Sequence, residues 1–77
     1  LDIYPINVST LESTFDTGAT VDLTSLQEKG LVPKLIEHVK ILGEGELTKK
    51  LTIKVRSASQ TARDKVEKAG GSIELLK

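Results

Sequence analysis

The chain has 77 residues, eleven Lys and Arg balanced by eleven Asp and Glu, no Cys, and two aromatic residues, Tyr4 and Phe15. That length allows one domain at most, burying only about 60% of its unfolded surface. Without Cys there is no disulfide framework or thiolate metal site, and two aromatics are too few for a platform that stacks single-stranded bases.

No apolar run approaches the ~20 residues of a membrane span, and no basic-then-apolar signal segment opens the chain. A start at Leu1 rather than Met points to a processed product or a fragment of something longer.

In chain order, residues 4–8 read as a short strand with Ile6 and Val8 on one face. Pro5 lacks an N–H and must stand at the strand's start or on a sheet edge. Ser9-Thr10-Leu11-Glu12 has the form of a capping box, Ser9 accepting from the Glu12 amide and Glu12 reaching back. The helix it opens pairs Leu11 with Phe15 and stops at Gly18. A second short helix is expected over 23–29, capped by Asp22, with Leu23 and Leu26 inward and Gly30 ending it.

Pro33 breaks the chain, and a strand over 38–42 carries Val39 and Ile41 on its inner face. Gly43-Glu44-Gly45-Glu46 reads as a hairpin-type turn. Leu51, Ile53 and Val55 alternate with Lys50, Thr52, Lys54 and Arg56, the pattern of a half-buried strand. Ser57 or Ser59 caps a better helix bearing Ala58, Ala62, Val66 and Ala69 near the 3.6 period, with Asp64 and Lys68 as an i,i+4 pair. Gly70-Gly71 ends it, and residues 72–76 return as a strand with Ile73 and Leu75 inward. The order predicts one α/β domain over 1–77, small and mixed, with helices against a sheet.

Catalytic chemistry finds no footing. His38 is the lone histidine, the carboxylates are scattered rather than paired for acid–base work, and one histidine without thiols does not hold zinc. Gly43, Gly45, Lys49 and Lys50 resemble a phosphate loop only loosely, since the Gly-Lys-Ser/Thr ending is missing and Glu44 and Glu46 repel phosphate. The expectation is no enzyme, no cofactor and no small-molecule substrate.

Charge is more informative. Residues 1–46 carry three cations against eight carboxylates, and residues 47–77 carry eight against three. Lys50, Lys54 and Arg56 fall on the polar face of one strand, at intervals of about 13 and 7 Å. They could follow a phosphate backbone, with Arg63, Lys65 and Lys68 adding to the field. An ordinary solvated sheet face, where lysine discourages edge pairing, accounts for them equally well.

Lys40-Ile41-Leu42-Gly43, Gly45, Leu47, Leu51, Ile53, Ala58-Ser59, Ala62, Val66 and Gly70 together resemble the signature of the universal L-fifteen family of large-subunit ribosomal proteins. The stretch YPINVSTLESTFDTGATVDLTSLQEKGLV is similar to the family's preceding segment, so the resemblance covers essentially the whole chain. Full members carry a long, basic, glycine-rich N-terminal arm that is missing here, and the expectation is the C-terminal globular domain alone.

The resemblance implies a fold of irregular strand-strand-helix turns, shared with the ribosomal protein eighteen group. It also implies a structural role in the large subunit, with ribosomal RNA and neighbouring ribosomal proteins as partners, no membrane, and a place on cytoplasmic or organellar ribosomes. On that reading Gly43, Gly45 and the aliphatics are fold residues. The candidates for RNA contact are Lys40, Lys49, Lys50, Lys54, Arg56 and Arg63, and Ser59 is either a phosphate contact or a helix cap. A free-standing, non-catalytic protein-interaction module is the alternative.

Overall fold

The computed structural model describes residues 3–76. β1 (Ile3–Asn7) is an edge strand, which is how Pro5 is accommodated within it. α1 (Val8–Thr14) follows at once, so Val8 turns its buried side chain from a helix rather than from a strand. β2 (Thr20–Val21) is a two-residue strand that is too short to show as alternation in the sequence. α2 (Leu23–Glu28) opens with a reciprocal cap: Ser25 N donates to Asp22 Oδ1 at 2.8 Å, and Asp22 N donates to Ser25 Oγ at 2.8 Å.

β3 (His38–Leu42) and β4 (Thr52–Val55) alternate buried and more exposed positions as their sequences require. β5 (Ser57–Ala58) follows β4 after the single residue Arg56. In α3 (Gln60–Lys68), Ser59 Oγ accepts from Ala62 N at 3.2 Å, and Ala62 and Val66 are buried. β6 (Ser72–Leu75) completes the set.

Odd strands form one three-stranded sheet, β1-β3-β5 (sheet A), and even strands form another, β2-β4-β6 (sheet B). Every pairing is parallel. The chain therefore winds in three turns, each laying one strand in each sheet and stepping one strand sideways. One apolar core lies inside the winding, with Leu11, Leu26, Ile41, Leu51, Ile53 and Val66 essentially inaccessible. This α/β architecture is the strand-strand-helix winding expected from the resemblance.

The middle turn has no helix. Residues 43–51 run from β3 to β4 without regular structure, and they are not the hairpin turn expected, because β3 and β4 lie in different sheets. The glycines serve close approach instead. A Cβ on Gly43 would stand 2.7 Å from the Ala62 amide nitrogen, and Gly45, at φ +92°, lies against Ser9.

Three smaller expectations also change. α1 starts before Ser9 and has no side-chain cap, and the Ser9 amide donates to Glu44 O at 3.3 Å. Asp64 Oδ1 accepts from Gln60 Nε2 at 2.9 Å rather than facing Lys68. Leu75 shares the inner register of Val55 but is 45% exposed, at the end of an edge strand.

Two substitutions test this packing. Ile53→Asp places an unpaired carboxylate at the centre of sheet B and should cost more than about 4 kcal/mol, read as loss of a cooperative thermal transition. Gly43→Ala forces the loop away from α3 and should cost about 1–3 kcal/mol by denaturant titration.

Candidate nucleic-acid interface

The basic side chains divide into those answered inside the fold and those left at its surface. Lys65, on α3, donates through Nζ to Gly43 O at 2.6 Å and also to Gly45 O. Lys49 donates through Nζ to Phe15 O at 2.9 Å. Lys29 lies over the Phe15 ring, 5.9 Å from its centroid. Lys65, expected to add to a surface field, instead ties the middle loop to α3.

Of the six candidates, Lys50, Lys54, Arg56 and Arg63 are exposed, and none has a side-chain hydrogen-bond partner among the described residues. Lys40 is half-buried in the central strand of sheet A, between Pro5 and Ser57 in register. Lys49 is half-buried, and its ammonium is already engaged. Ser59 is the cap of α3. Lys50 precedes β4, Lys54 lies within it and Arg56 follows it, so β4 brings three of the candidates together. Arg63 stands apart on α3.

Glu12 holds the other side of the loop. Thr48 Oγ1 donates to Glu12 Oε2 at 2.6 Å, and the amides of Thr48 and Lys49 donate to Oε1 at 3.1 and 3.2 Å. These bonds, the Thr48 hydroxyl's first, hold the carboxyl below its ordinary pKa, with the Lys49 charge adding to them. Three donors on one carboxylate explain why Glu12 does not turn back to cap its own helix.

Elsewhere the chemistry is sparse. His38 Nε2 meets Ser57 Oγ at 2.9 Å, a contact between β3 and β5. No group of three or more His, Cys, Asp or Glu is placed to hold a metal among the described residues, and no described helix is long and apolar enough to cross a membrane. A cleft beside α3, lined by Glu46, Leu47, Thr48, Lys65, Lys68 and Ala69, includes an acid in its lining, and its Lys65 is committed to the loop.

This is a small two-sheet α/β protein whose accessible chemistry is a cation-bearing strand face rather than a reaction cleft. Residues 5–74 match the family of ribosomal proteins described as 50S-L15 and 50S-L18e together with their 60S counterpart, and the chain belongs to that family. Among its relatives, each named "Large ribosomal subunit protein uL15", that of Fervidobacterium nodosum is 46% identical over 71 residues, covering 92% of this chain and 48% of the relative. That of Mycoplasmopsis synoviae is 49% identical over 73 residues, covering 92% and 49%. That of Agathobacter rectalis is 47% identical over 76 residues, covering 99% and 51%. The chain thus spans about half the length of these relatives.

The Glu12 bonds set a pH dependence. A carboxyl held below its ordinary pKa stabilises the fold fully above the ordinary glutamate range, and that stabilisation is lost as pH falls through the lowered value. Glu12→Gln should therefore lower the thermal midpoint at pH 7. The gap between variant and wild type should close as the pH falls below the ordinary glutamate range and through the lowered Glu12 value, as followed by circular dichroism.

Proposed function

We propose that this chain is a structural part of the large ribosomal subunit that binds large-subunit ribosomal RNA and supports subunit assembly in translation. The observation that carries the reading is the family match over residues 5–74 to relatives named as large-subunit proteins. Lys50, Arg56 and Arg63 are the leading contacts because they are exposed and have no side-chain hydrogen-bond partner among the described residues, and Lys54 is exposed as well but has Glu74 as its register neighbour. Lys40 and Lys49 are secondary, each half-buried, and the Lys49 ammonium already donates to Phe15 O.

A polar strand face bearing lysine and arginine, with no aromatic platform, reads phosphate positions and RNA shape rather than base edges. Net neutrality does not oppose this, because the acids concentrate in residues 1–46 while the contacts come from the basic remainder.

Neighbouring ribosomal proteins are the second class of partner. Leu35 is 94% exposed at the loop before β3, the kind of apolar side chain a protein neighbour covers. The working site would be the ribosome, cytoplasmic or organellar. If the chain is instead a protein-interaction module, its affinity will be indifferent to salt.

Binding to large-subunit ribosomal RNA should weaken log-linearly with salt. The charge reversal Lys50→Glu, Lys54→Glu, Arg56→Glu should flatten that slope by about 2, at roughly 0.7–0.9 each for Lys50 and Arg56 and less for Lys54, with the fold intact. Unchanged affinity and incorporation of this triple variant would remove the assignment of these residues.

A further inference from the structure

We propose that the outer face of sheet B receives the sugar–phosphate backbone of an RNA strand at its Lys50 end, through the Lys50 ammonium and the hydroxyls of Thr20, Thr52 and Ser72, while Lys54 is a minor contact. This deepens the RNA-binding reading and rests on it.

The strand register makes the case. Thr20, Thr52 and Ser72 are mutual partners across β2, β4 and β6, so their hydroxyls form one row across the sheet. All three are exposed, and none of the hydroxyls has a hydrogen-bond partner among the described residues. At about 4.8 Å per strand the row spans roughly 10 Å. A hydroxyl both donates and accepts, which suits phosphate oxygens and ribose 2′-hydroxyls alike.

The rows on either side differ in charge. Two residues before the hydroxyls stand Gly18, Lys50 and Gly70. The Gly18 amide donates to Lys50 O at 2.6 Å, and a Cβ added at Gly18 would meet nothing within 4 Å, so the chain beside Lys50 on the β2 side carries no side chain to cover it. Two residues after the hydroxyls stand Asp22, Lys54 and Glu74, and Glu74 is the register partner of Lys54. The Lys50 end has a cation with no acid in register, whereas Lys54 has the Glu74 carboxylate as its neighbour on β6. A polyanion lying across this face is drawn to the Lys50 end.

The face also lacks the cover that its architecture calls for. Purely parallel sheets are almost always covered on both faces. Sheet B buries Val21, Ile53 and Val55 on its inner side and leaves Thr20, Thr52, Lys54, Ser72 and Glu74 exposed on the other. A face of hydroxyls and lysine fits a polar, anionic cover rather than an apolar protein one.

The test uses the complete protein and in vitro transcribed large-subunit ribosomal RNA, with affinity measured across a salt series. The variant Thr20→Val, Thr52→Val, Ser72→Ala removes the hydroxyls without changing charge and should bind about tenfold more weakly or worse, at an unchanged salt slope. Thr20→Ser, Thr52→Ser, Ser72→Thr keeps the hydroxyls and should bind as wild type. Lys50→Gln should flatten the slope by about 0.7–0.9, and Lys54→Gln by less than half of that.

Wild-type affinity in the hydroxyl-free variant, equal weakening of both hydroxyl variants, or an effect of Lys54→Gln matching that of Lys50→Gln would overturn this inference while leaving RNA binding in place. Failure of the wild-type protein to bind the RNA would overturn both.

Discussion

The backbone of residues 43–51 crosses the middle of the fold without a helix, and where backbone amides do not meet its polar groups two charged side chains do. Glu12 reaches up from α1 to accept the amides of Thr48 and Lys49. Lys65 reaches down from α3 to the carbonyls of Gly43 and Gly45. Charge-assisted bonds are about twice as strong as neutral ones, and here they tie a partly exposed loop to both helices. The loop is thereby fixed closely enough for Leu47 to join the core.

What the clamp secures is the spacing between turns. The first and third turns each present a helix on this side, and the loop is the layer between α1 and α3. Close approach explains its small residues: Gly43 beside Ala62, and Gly45 beside Ser9. Were the loop to rise away from α3, β4 would lose its fixed entry into sheet B. The alternation that puts Ile53 inside and Thr52 outside would then have no anchored register, and a one-residue slip would exchange the two faces. The accessible face of β4 is in this sense a product of Glu12 and Lys65, neither of which lies on it.

Legibility in the sequence follows the range of the interaction that decides each element. β3 is readable to the residue because its alternation is local, and so is the Asp22 start of α2, where cap and partner stand three residues apart. β2 and β5 are not, since two-residue strands have no period and exist only through their parallel partners. The Ser9–Glu12 motif has the local form of a cap, but the carboxylate finds three donors at Thr48 and Lys49, far along the chain. The two glycines of the middle loop look like a turn for the same reason. Their cause is steric approach to α3 and α1, which no local pattern encodes.

The site shows the same division. The cations on the polar side of β4 are visible from alternation, and all of them are exposed. That Lys65 and Lys49 commit their ammonium groups to carbonyls is not visible, because the carbonyls belong to segments distant in sequence. Nor is the pairing of Thr52 with Thr20 and Ser72, or of Lys54 with Glu74, since parallel register joins residues that no spacing rule relates. Counting lysines therefore overstates this surface at one end and understates it at another. A lysine beside a carboxylate in register, or committed to a loop, offers little to a phosphate. A lysine with no acid in register, next to a row of hydroxyls, offers its charge together with neighbours that can share the contact. In a chain of zero net charge, attraction for a polyanion depends on which cations the fold has left unengaged.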